Sequence, residues 1–171
     1  MLSDVIRLQR LTAEHEQALL AFELANRAYF ARSVPDRGDA YFAEFADRLR
    51  ALLADQATGL LHFHLVLDDR GELLGRVNLV DVADGTAELG YRIGEHAAGR
   101  GVATAAVEQL CRLAVTDYRL TSLTAVTTHD NPASRAVLAR TGFTAEADID
   151  LDGRPGTRYR RRLVSSGRTA G

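Results

Sequence analysis

The chain has no lysine, no tryptophan, one cysteine, three prolines and no apolar run of membrane length. Each shortage removes a class of reading. Without lysine there is no Gly-Lys-Ser/Thr sequence, which excludes a phosphate-binding loop of the P-loop type. We attribute the exclusive use of arginine to genomic composition and draw nothing functional from it. A single cysteine, Cys111, forbids an internal disulfide and suits a reducing compartment. It falls beside Leu110 and Leu113 inside a predicted helix, where packing outweighs nucleophilic chemistry. Asp4, Arg7 and Arg10 interrupt the N-terminal segment, which argues against a signal peptide or a transmembrane helix and predicts a cytoplasmic protein with no membrane partner. A formal net charge of -2 gives no general ground for nucleic-acid binding. The one basic stretch, six arginines and no acid from Arg154 onward, has the character of a charged edge strand followed by a tail.

What is present is enough for one domain. The 171 residues, 46% hydrophobic and 26% charged, can bury a core without staples, and no repeat divides them. We expect a domain over residues 1–164 and a flexible tail over 165–171. Alternation predicts a strand over Val5–Leu11, and apolar spacing of three to four residues predicts helices from Ala13 to about Arg32 and from Asp39 to about Ala57. Strands over Leu61–Leu67, Leu73–Val80 and Thr86–Ile93 are separated by the turns at Asp68–Gly71 and Asp84-Gly85 and form an antiparallel meander. A helix over Val102–Val115 then connects to a strand at Ser122–Thr127, and such a crossover implies that the two flanking strands run parallel. Asn131-Pro132 caps a short helix ending near Arg140, and strands follow at Phe143–Ile149 and Thr157–Leu163.

Between the third meander strand and the long helix lies the sequence Ala98-Gly99-Arg100-Gly101-Val102-Ala103-Thr104. Gly99 and Gly101 can take left-handed backbone angles, and the helix that follows offers amide hydrogens with no partner, an arrangement that attracts phosphate. About thirty residues later comes Asn131-Pro132-Ala133-Ser134, leading to Thr141-Gly142-Phe143. Taken together, these residues resemble the GCN5-related N-acetyltransferase (GNAT) superfamily, most closely its branch that acetylates ribosomal-protein N-termini. The resemblance covers nearly the whole chain and is strongest from Glu88 to Phe143. It implies an α/β (α+β) fold: a single mixed, mostly antiparallel sheet with a splayed parallel central strand pair, flanked by helices. In that gap the family holds acetyl-coenzyme A as co-substrate, with no metal.

The resemblance assigns the pyrophosphate to the backbone of Gly99, Arg100, Gly101, Val102, Ala103 and Thr104, with Arg100 also placed to meet a phosphate oxygen. Ala98 departs from the family motif, which has Gln or Arg there, so one polar contact is missing. Tyr91, Arg92 and Ile93 would present main-chain groups to the pantetheine arm. Asn131 serves as helix cap and pantetheine contact, and Ser134 as a hydrogen-bond partner for the coenzyme sulfur. Transfer also needs a base, and Asp81 and Glu88 are the acids nearest the gap. Asp81 is preferred because related N-terminal acetyltransferases have an acid there, although it also suits the turn before Asp84-Gly85. The expected reaction is acetylation of a protein or peptide α-amine by direct transfer in a ternary complex. A small-molecule amine, including an antibiotic, is the alternative acceptor, and a non-catalytic acyl-coenzyme A binding module is the alternative class. The family's frequent homodimers make a second copy a candidate partner.

Overall fold

A computed structural model describes residues 5–164, so the expectation of a flexible tail over 165–171 lies outside the described residues. In chain order the elements are β1 (Ile6–Arg10), α1 (Glu16–Ala25), α2 (Arg27–Phe30), α3 (Asp39–Ala43), α4 (Phe45–Ala57), β2 (His62–Asp68), β3 (Leu73–Ala83), β4 (Thr86–Ile93), α5 (Val102–Thr116), β5 (Ser122–Thr128), α6 (Pro132–Arg140), β6 (Thr144–Leu151) and β7 (Arg154–Arg162). The strands form one sheet in the order β1-β2-β3-β4-β5-β7-β6. Only β4 and β5 are parallel neighbours, as the crossover through α5 requires. The observed sheet is the mixed, mostly antiparallel one expected.

Because successive residues of a strand point to opposite faces, each strand feeds two cores. Val66, Val77, Leu79, Leu89 and Leu123 pack with Ala106, Val107 and Leu110 of α5 on one face. On the other, Phe63, Leu65 and Leu67 of β2 meet Phe22, Phe30, Phe45 and Leu49 of the early helices. The sheet is therefore a partition, and any opening in it connects two differently built surfaces.

Two predicted helices are shorter than their apolar spacing suggested. The segment from Ala13 breaks at Asn26, whose side-chain amide donates to the Phe22 carbonyl at 3.0 Å and whose Oδ1 accepts from the Glu95 amide at 2.9 Å. Asn side chains compete with the helix backbone in this way, and here the tertiary bond to Glu95 wins. The second segment breaks at Glu44, between α3 and α4. β3 runs past the expected Val80 to Ala83 through a bulge, and β7 begins at Arg154, three residues before the expected Thr157.

Candidate active site

β4 and β5 pair only through Thr86–Ser122, Ala87–Leu123 and Glu88–Thr124. Beyond that they diverge, while β3 stays paired to β4 as far as Ile93 and β7 stays paired to β5 as far as Thr128. Each strand thus keeps its outer neighbour and frees its inner edge. Unpaired main-chain donors and acceptors line that edge and are available to a ligand laid between the strands. A cavity of about 700 Å³ occupies the slot, bounded by the start of α5, by α6 and, across the sheet, by Tyr29, Phe30 and Pro35. That volume lies within the usual range for ligand sites.

At the slot's outer end Gly99 and Gly101 have φ of 75° and 77°. No atom lies within 4 Å of where a Cβ would stand at either, so the need for glycine is conformational rather than spatial. The first main-chain bond of α5 runs from the Ala105 amide to the Gly101 carbonyl at 3.1 Å. The amides of Val102, Ala103 and Thr104 therefore open the helix without a partner among the described residues. Val107 and Leu110 of this helix are fully buried, which fixes the direction in which those amides point. The Arg100 guanidinium donates to the His96 carbonyl at 3.2 Å.

Tyr91 and Ser134 meet across the slot, the tyrosine hydroxyl donating to Ser134 Oγ at 3.3 Å. Both line the cavity, as do Arg92, Ile93 and Asn131. Burial raises the Tyr91 phenol above its ordinary pKa, and the bond to Ser134 opposes that rise. Asn131 caps α6, its Oδ1 accepting from the Ser134 amide at 3.2 Å. Sequence spacing joined Asn131 to Ser134; the bond from Tyr91 is a product of the fold.

The two candidate bases lie at the closed vertex of the slot and outside the cavity wall, to which β4 contributes from Leu89 onward. Glu88 belongs to the last parallel pair before the strands part. It is half-buried, and burial pushes its carboxyl pKa up, with the Asp81 charge adding to that rise and Arg158 opposing it. Asp81 is exposed, in the β3 bulge, with φ of 52°. The geometry thus separates the pair into a half-buried carboxyl at the vertex and a solvated one whose charge acts on it.

Sequence reasoning missed the surface on the α1 side of the slot. Glu23 of α1, 2% exposed, stands 2.7 Å from Arg76 of β3 and 3.7 Å from Arg92 of β4. Arg76 Nε and Glu23 Oε1 lie off the line of a hydrogen bond, so their contact is ionic. The two guanidiniums rest on aromatic faces, Arg76 over Phe63 and Arg92 over Phe30, at 5.1 and 5.0 Å from the ring centres. Arg154 closes one end, donating to Asp130 at 2.7 Å and to the Ser33 carbonyl at 3.3 Å. The only advance signal was the placement of these charges at positions otherwise suited to core.

Elsewhere, His62 and His64 surround Tyr118 instead of a metal: His62 stacks on its ring and His64 Nε2 lies 2.7 Å from its hydroxyl. Among the described residues no three His, Cys, Asp or Glu side chains come together as a metal site, and no helix is long and apolar enough to cross a membrane.

A family model described as the acetyltransferase (GNAT) domain matches residues 6–144. The chain belongs to this family. The acetyltransferase is 30% identical over 148 residues to Bacillus subtilis YdaF, provisionally named a ribosomal N-acetyltransferase, covering 84% of this chain and 74% of that one. Its fold superposes on Mycobacterium smegmatis RimJ, solved with a coenzyme A disulfide, at a TM-score of 0.84 with 23% identity, covering 94% of this chain and 83% of the other. It also superposes on the Vibrio cholerae spermidine N-acetyltransferase, solved with coenzyme A and spermine, at 0.78 with 17% identity and coverage of 92% and 95%. GNAT acetyltransferases take acetyl-coenzyme A as donor, and the residues present fit it: a helix opening on unpartnered amides for the diphosphate and a freed strand edge for the amide-bearing arm.

Proposed function

We propose that this acetyltransferase modifies the N-terminal α-amine of a protein or peptide, by direct transfer with donor and acceptor bound together. The observation that carries the reading is the slot through the sheet, whose cavity is bounded by α5 and α6 on one face and by the Tyr29–Pro35 segment on the other. A donor held from one side meets an acceptor arriving from the other. YdaF, the relative with the greatest sequence identity described above, is named for a ribosomal acceptor, which favours a protein terminus.

When bound, acetyl-coenzyme A supplies an activated acyl group and a thiolate leaving group. The amides of Gly99 to Thr104 hold its diphosphate, and the freed edge of β4 from Tyr91 to Ile93 orients its arm. An α-amine has a pKa near 8 against about 10.4 for lysine, so freeing its lone pair at pH 7 costs about 1.4 kcal/mol, where lysine needs roughly 4 to 5. Glu88 takes that proton directly or through one water; its raised pKa makes it a better base than an exposed carboxylate. Asp81 acts through Glu88 as a positioning charge. On the far side Ser134, itself accepting a hydrogen bond from Tyr91, donates a hydrogen bond to the departing sulfur, whose pKa near 8.5 lets it leave as the thiolate and take its proton from solvent. The chain's one thiol, Cys111, is 3% exposed with its pKa pushed up to about 11 by burial, so it offers no acyl-carrying thiolate.

The test is to incubate the enzyme with labelled acetyl-coenzyme A and a panel of N-terminal peptides, polyamines and aminoglycosides, and to measure initial rates over both substrates. Label on the peptide α-amine and intersecting double-reciprocal lines are expected. Parallel lines, or an isolated acetyl-enzyme that passes its label on, would overturn direct transfer; turnover of polyamines or aminoglycosides alone would overturn the peptide acceptor.

A further inference from the structure

The cluster around Glu23 is out of balance. One carboxylate faces two guanidiniums, Arg76 and Arg92, and the charge of Arg37 also acts on both. Arg76, 8% exposed, is committed to Glu23 at 2.7 Å. Arg92 is not: its contact with Glu23 at 3.7 Å is too long for a hydrogen bond, and its guanidinium makes none with any described residue. A guanidinium carries five N–H donors, and burying them without acceptors is unfavourable unless something else provides them. The side chain is 19% exposed, and Arg92 lines both the slot and a small recess beside it that Glu23, Phe30 and Arg37 share.

Direction matters here. On β4 the Arg92 side chain lies against Phe30 of α2, on the opposite face from Tyr91, which reaches Ser134 of α6. Arg92 therefore addresses the acceptor's side of the sheet, and the helix that holds the donor's diphosphate is on the other. Its neighbour two residues back on that face is Gly90, over which the Asn78 side chain of β3 lies, its amide nitrogen 3.5 Å from where a Cβ would stand. Along a strand the interval between the α-carbons of Glu88 and Arg92 is about 13 Å, the reach of a few extended residues. The charged side chains on the cavity wall are Arg92, Arg140, Arg154 and Asp152, three cations to one acid.

We propose that Arg92 is a specificity-determining residue that receives a carboxylate of the acceptor, so that the enzyme selects amines bearing an acid a few residues from the reacting nitrogen and rejects polycations. The inference rests on the reading of the slot as the acetyl-transfer site and deepens it. The carboxylate could come from an Asp or Glu side chain at the second or third position of a peptide or from the α-carboxylate of a short acceptor, and the two arms below separate them.

One arm compares peptides that differ only in Asp, Ala or Lys at positions two and three, with amidated C-termini. The other compares free and amidated tripeptides of neutral sequence, and spermine is included in both. Expected for the wild type is kcat/KM in the order acidic, neutral, basic, with about 10- to 100-fold between the ends, the range of one or two charge-assisted bonds. Arg92→Met leaves Glu23 and Arg76 as a balanced pair and should collapse the acid-to-neutral ratio toward one; Arg92→Lys, which keeps the charge and loses the fork, should retain part of it. Coenzyme A affinity, measured by calorimetry, identifies a different role: a loss equal to the loss in acidic-peptide turnover would put Arg92 on the donor and overturn the inference. So would a wild type that turns over basic peptides or spermine as fast as acidic ones, with α-amine acetylation itself intact. If no peptide is a substrate but other amines are, the N-terminal reading fails separately, and the same Arg92→Met ratio is measured between carboxylate-bearing and neutral amines of that class.

Discussion

The two walls of the slot are made differently. The wall toward α5 uses the main chain: glycines in left-handed conformation, three unpartnered amides and a strand edge, all within residues 90–104. The wall toward α1 and α2 uses side chains brought from Glu23, Phe30, Arg76, Arg92 and Arg154, elements spread over 130 residues. A backbone site suits a ligand that never changes, since every coenzyme molecule carries the same diphosphate. Side chains suit an acceptor that differs from one family member to another, because they can be exchanged without disturbing the helix opening. On the proposed function, the difference teaches that the donor end is a local structure and the acceptor end a tertiary one.

Substitutions can break that contrast. The largest expected effect belongs to the vertex that both walls share: Glu88→Gln should lower kcat/KM by about 10²- to 10⁴-fold, the span of general base catalysis, with coenzyme A affinity within two-fold of wild type by calorimetry. Next, Gly101→Val forces a branched side chain into the left-handed region at a cost of roughly 1–2 kcal/mol, so coenzyme A should bind about 5- to 30-fold more weakly while the acceptor KM stays put. Unchanged binding would mean that the amides at this helix start do not hold the donor. Ser134→Ala should cost about ten-fold in kcat, and Tyr91→Phe less; because the two hydroxyls are bonded to one another, the double variant should fall short of the product of the singles.

The smallest effect is in the pH profile. Glu88 must be ionised to accept a proton, so activity rises as pH climbs through its raised pKa. Asp81→Asn removes one cause of the rise and should move the acid limb of kcat/KM to lower pH; Arg158→Gln removes the opposing charge and should move it higher. Shifts of the same sign from both variants would separate the limb from Glu88.

Strand alternation at Thr86–Ile93, the apolar stripe of α5 and the Gly99-Arg100-Gly101 turn were enough to place the crossover and the helix opening, because each depends on residues adjacent in sequence. At one of the two helix breaks the cause was distant: Asn26 leaves its helix to bond Glu95, 69 positions away. The same limit applied to the bases. The family resemblance preferred Asp81 to Glu88, and only the bulge at Val80–Ala83 and the parting of β4 from β5 give Glu88 burial and leave Asp81 in solvent. Tyr91 packs against the α5 core, and its hydroxyl also reaches Ser134 across 43 positions, a contact no local pattern signals.

By itself the amino-acid order determined the elements, the parallel crossover and the glycine turn before α5, since hydrophobic period, glycine conformation and helix-end polarity act over a few residues. The three-dimensional arrangement alone decided how far the slot opens, which carboxyl is buried at its vertex and where the unbalanced arginine points. Those depend on burial and on charges at a distance, which take their values only once remote segments have packed.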